Sequence, residues 1–130
     1  MAKRFALSLI AVLTISLLCT NARAQKANSV LGTWEGESIC TVRPSPCHDE
    51  HVIYEISRIE NSDRLTIAMD KVVAGERQYM GSLECQYQPG HLLCHYRNDH
   101  WDYVVKGQKM TGTLTLSDGR LYRRISARKK

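Results

Sequence analysis

A chain of 130 residues whose first 24 read as a removable leader leaves room for one domain of about 100 residues and no more. Of its 18 basic residues, Lys3, Arg4 and Arg23 belong to that leader and six more lie between positions 120 and 130. The remaining body carries more acids than cations, which excludes the broad basic face of a nucleic-acid-binding domain despite the formal +5 charge.

The leader runs from Lys3 and Arg4 through an apolar stretch, Phe5 to Leu18, to Ala22-Arg23-Ala24, the charged, apolar and small-residue order of a secretory signal peptide. Fourteen apolar residues would span about 21 Å as a helix, less than the hydrocarbon core requires, so a retained anchor is not expected. Cys19 follows the large Leu18, unlike a lipidation site, and leaves with the leader. Residues 1–24 are thus read as signal, 25–30 as a flexible polar leader, 31–126 as the domain and 127–130 as a basic tail. A periplasmic or secreted location follows.

From residue 33 onward, apolar and polar residues alternate in short runs, the period of half-buried strands. Trp34, Gly36, Ser38, Cys40 and Val42 share one face, followed by Val52, Tyr54 and Ile56, then Leu65, Ile67, Met69 and Val73. Tyr79, Gly81, Leu83, Cys85 and Tyr87 form the fourth inward row, with Leu92, Cys94 and Tyr96 the fifth. Trp101, Tyr103 and Val105 come next, then Met110, Gly112, Leu114 and Leu116, and Ser117-Asp118-Gly119 turns the chain into Leu121 to Ser126. Eight short strands, tight connections and no helical stretch predict an all-β fold, an antiparallel up-and-down barrel; the short loops disfavour a two-sheet sandwich.

Four cysteines remain after cleavage, in an exported chain with a small core. Cys85 and Cys94 are equidistant from the centre of the turn Gln88-Pro89-Gly90-His91 and both face inward, so they meet across a hairpin. Cys40 and Cys47 bracket Arg43-Pro44-Ser45-Pro46 in the same way. Each bridge is worth about 2 to 3 kcal/mol by loop-closure entropy. Spacings of six and eight intervening residues do not match the close pairs of structural zinc sites, so neither a metal nor a cofactor is expected.

The opening Leu31-Gly32-Thr33-Trp34 resembles the G-x-W signature of the calycins: lipocalins, fatty-acid-binding proteins and avidins. The resemblance implies that Trp34 closes one end of the barrel and that a cation from the last strand, Arg123 or Arg124, packs across it. It covers about ten residues at the two ends of the domain. The chain is shorter than a lipocalin, lacks the lipocalin helix and shows nothing like avidin's polar ligand-contacting set. Small periplasmic barrels that inhibit lysozymes or proteases through a surface loop offer a looser comparison.

No G-x-S-x-G, H-E-x-x-H or C-x-x-C occurs, so an enzyme is not expected. His91 and His95 point outward about 13 Å apart, too far to share one ion. The predicted interior holds Trp34, Tyr54, Tyr79, Tyr87, Tyr96, Trp101 and Tyr103. Two outcomes stay open. The aromatics fill the barrel, or Gly36, Gly81 and Gly112 leave room among them for a small apolar or aromatic ligand. In the first case binding passes to an envelope protein partner through the polar loop carrying Arg43, His48, Asp49, Glu50 and His51.

Overall fold

The computed structural model describes residues 27–130; the signal peptide expected over 1–24 lies outside the described residues. Eight strands follow one another: β1 (Gly32–Cys40), β2 (Glu50–Arg58), β3 (Leu65–Val73), β4 (Glu76–Gln88), β5 (His91–Tyr96), β6 (Asp99–Lys106), β7 (Lys109–Thr115) and β8 (Leu121–Lys129). Each pairs antiparallel with the next, and β8 returns to β1, so the sheet closes into a barrel with no open edge. No helix among the described residues is long and apolar enough to cross a membrane.

Alternation puts one row of each strand inside. Trp34, Tyr103, Leu65, Ile67, Leu92 and Met110 are the largest fully buried side chains, joined by Val52, Tyr54, Ile56, Leu83 and Ile125. The two disulfides are Cys40–Cys47 and Cys85–Cys94, the second directly across the β4–β5 ladder.

Both predicted termini of the domain move outward. The segment expected to be a flexible leader folds, over residues 27–30, into a turn with Val30 N–H donating to Ala27 O, and Val30 is 1% exposed. The expected tail is strand: Ala127 to Lys129 belong to β8 and pair with β1, because Ala127 and Lys129 continue the inward row that Arg123 and Ile125 begin. Together these segments shut one end of the barrel. Trp34 Nε1–H donates to Val30 O at 2.8 Å, and Lys129 Nζ lies 5.9 Å from the centre of the Trp34 ring while donating to Ser29 O.

An irregularity in the β3–β4 ladder redirects side chains. Met69 pairs with Gly81 but Asp70 pairs with Tyr79, so Met80 is an extra residue in β4. An extra residue bends its strand and reverses the alternation beyond it. Gly81 stands beside the bulge at a φ of 130°, a conformation that side chains disfavour.

Candidate functional site

The predicted interior aromatics do not form one set. Trp34, Tyr54 and Tyr103 are core, and Tyr87 and Trp101 are half-buried against it. Tyr79 is turned outside by the Met80 bulge; it is 68% exposed and its hydroxyl meets Ser82 Oγ at 2.7 Å. Tyr96 holds an inward position in register but at the rim, where β5 ends, and is 53% exposed beneath the Arg97 guanidinium. Neither is an interior ligand-binding residue.

The glycines do not hollow the centre. Gly112 lies opposite Tyr103, and a Cβ there would stand 2.5 Å from that ring, so the ring occupies the space the glycine leaves. A Cβ on Gly36 would collide with the backbone of Ser126 and Ala127 at the seam that closes the barrel. Of these three inward glycines, only Gly81, beside the bulge, has open space where its side chain would be. Tyr54 and Tyr103 pack edge to face, centroids 5.9 Å apart. Burial pushes the Tyr54 hydroxyl up to about 12, and burial followed by the neighbouring Tyr54 drives Tyr103 well above the usual phenol range. Both stay protonated at neutral pH, so neither offers a base.

What remains open is the mouth, at the end opposite Trp34. A recess of about 130 Å³ lies there between Met69, Met80, Trp101 and Leu114, floored by Tyr54 and edged by Ser38, Glu50 and Arg123. The bulge that expels Tyr79 is what delivers Met80 to this wall. Arg123 organises the polar edge. Its Nη1 donates to Ser38 Oγ at 3.1 Å and to Ser38 O, its Nη2 donates to His48 O at 3.1 Å, and Glu50 lies 3.4 Å away. Lys71 approaches the other oxygen of Glu50 at 3.9 Å. Two cations, Arg123 and Lys71, thus flank the Glu50 carboxylate.

Arg123 therefore does not close the barrel over Trp34, as the resemblance implied, and Arg124 points outward into a shallow groove between β6, β7 and β8. The strands are tilted, so the cation above Trp34 is the residue in register with it, Lys129.

The predicted partner loop also divides. Arg43, His48 and Asp49 sit on residues 41–49, beside the mouth. Asp49 Oδ1 accepts from Cys40 N–H at 2.8 Å and from Arg43, and the Cys40–Cys47 bridge closes the loop. Glu50 and His51 are in β2 instead. Glu50 faces into the mouth, while His51 lies on the outer wall between Glu37 and Glu35, each 2.8 Å from a ring nitrogen. Those carboxylates, Glu37 first, raise the His51 pKa, while Lys130 and then His51 lower that of Glu35. Sequence reasoning missed Met80, Ser38 and Lys71 as mouth residues. Gly81 was the available signal, since a glycine inside a strand marks a bulge.

No family model and no curated protein sequence matches the chain. Among solved structures it is similar to zebrafish ileal bile acid-binding protein in complex with cholic acid, at 16% identity over 78% of this chain and 99% of that one, with a TM-score of 0.47.

Proposed function

We propose that this chain is an exported, non-enzymatic binding protein that receives a small apolar or aromatic group in the mouth of its barrel. The observation that carries the reading is the recess itself: four apolar walls from Met69, Met80, Trp101 and Leu114 beside an arginine held in place by Ser38, Glu50 and His48. Methionine walls adapt to different shapes, and a fixed guanidinium orients a carboxylate or other acceptor.

Volume limits the ligand. Pockets for drug-sized molecules run from about 300 to 1,000 Å³, whereas about 150 Å³ accommodates a benzene ring. At about 130 Å³ the recess suits one ring or a short branched chain, with an anionic end toward Arg123 and Lys71. A long acyl chain would have to displace Tyr103 from the centre. Oxidised cysteine pairs support a location outside the reducing cytosol.

The test is thermal unfolding and Trp fluorescence with a panel of small aromatic and branched aliphatic acids. A ligand at a hundred times its Kd stabilises by about 2.7 kcal/mol. Met80→Arg, at a partly exposed wall residue, should abolish that gain without unfolding the barrel. No saturable response across the panel, or one untouched by Met80→Arg, removes the reading.

The 41–49 loop, closed beside the mouth by the Cys40–Cys47 bridge, favours a second reading, in which the group inserted is a side chain of an envelope protein. Replacing the loop by a plain turn and comparing pull-downs from envelope extract tests it; unchanged partners discard the loop's part.

A further inference from the structure

On the outer wall, β5 and β6 bring together two histidines that are separated by the hairpin turn. His95 pairs directly with His100 across the ladder, and their Nδ1 atoms stand 2.7 Å apart, with the rings nearly perpendicular and their centroids 4.7 Å apart. Both side chains are exposed, and neither touches the mouth.

We infer that His95 and His100 form a site for a divalent transition-metal ion of the copper, nickel or zinc class, bound through the two Nδ1 atoms with water completing its coordination. Imidazole nitrogens are the usual protein ligands of these ions. Two nitrogens each about 2.0 to 2.1 Å from one ion lie about 2.9 Å apart at a right angle and about 3.3 Å apart at the tetrahedral angle. The observed 2.7 Å needs an opening of only a few tenths of an ångström, which exposed rings make by small rotations.

The backbone beneath holds the pair in place. Directly opposed residues of a ladder have their Cβ atoms about 5 Å apart. The turn between the strands is two residues, Arg97 and Asn98, with Arg97 at a φ of 55°. His95 also adjoins Cys94, which the disulfide ties to Cys85 on the neighbouring strand. Two ligands already side by side lose little freedom on chelation. The carboxylate in register with His95 on β4, Glu84, is engaged by Arg64 at 2.8 Å and is left out of the ligand set. His91, on the same strand, is committed to Asp102 at 3.1 Å and serves as the internal control. No group of three or more His, Cys, Asp or Glu able to hold a metal occurs among the described residues, so the site has two protein ligands.

The experiment is calorimetric titration of the purified, disulfide-bonded protein with Cu²⁺, Ni²⁺ and Zn²⁺ salts, with electron paramagnetic resonance of the Cu²⁺ complex. The expected result is one ion per chain, bound most tightly as Cu²⁺ in accordance with the general affinity order, with hyperfine coupling to two nitrogens. His95→Ala and His100→Ala should each weaken binding by about ten-fold or more, as loss of one of two ligands requires, and His91→Ala should leave it unchanged. Both positions are exposed, and circular dichroism of each variant verifies the fold. Absence of wild-type binding at millimolar metal, or equal binding by the His95→Ala/His100→Ala double variant, overturns the assignment.

Discussion

The filling of the barrel centre by Tyr103 can be tested at the glycine it covers. In Gly112→Ala the new Cβ would stand 2.5 Å from Tyr103 Cδ1 and 2.8 Å from Cε1. Carbon atoms in contact prefer 3.5 to 4.0 Å, so the ring must retreat by about 1 Å. It has nowhere to go, being fully buried and packed on Tyr54. Overpacking of this kind costs about 1 to 3 kcal/mol, against a total stability of about 5 to 15 kcal/mol. With the ring shortened in Tyr103→Leu, the same alanine should cost nothing or stabilise by about 0.5 to 1 kcal/mol, since glycine weakens strand interiors. Urea unfolding of the four members of the cycle under oxidising conditions should therefore give a coupling energy of about 2 kcal/mol, read from midpoints at constant m. Additive effects within about 0.5 kcal/mol would mean that the ring does not occupy the glycine's space and that the barrel centre is not filled by Tyr103.

Three further outcomes follow from other parts of the wall. Because its flanking carboxylates raise the His51 pKa above 6.5, the stabilisation it contributes is complete below about pH 6.5 and is lost as the pH rises through the raised value. Solvent exposure holds it under about 1 kcal/mol, and His51→Gln should flatten that part of the pH–stability curve, while imidazole proton shifts report the raised pKa directly. Trp34→Ala should cost about 3 to 5 kcal/mol by calorimetry, whereas Lys129→Met, which keeps the apolar stem, should cost under about 1 kcal/mol. Removing the second bridge as Cys85→Ala/Cys94→Ala should lower stability by about 2.5 kcal/mol, measured by chemical unfolding, since its loop separates the cysteines by nine positions.

Much of this architecture is written in alternation. A strand half buried in a closed sheet must place every second residue inside, so Trp34, Tyr54, Leu65, Ile67, Leu92, Tyr103 and Met110 were legible as core, and symmetry about short turns paired Cys40 with Cys47 and Cys85 with Cys94. Period two specifies a face, but neither depth along the barrel nor the place where one extra residue enters. Depth left Tyr96 at the rim, and the extra Met80 turned Tyr79 outward while supplying the wall of the mouth. The tilt of the strands likewise decided that Lys129 rather than Arg123 covers Trp34, and the β5–β6 register decided that His95 meets His100 rather than His91. Local pattern constrains each strand separately, whereas register, shear and the volume left in the centre exist only once all eight strands have closed on one another.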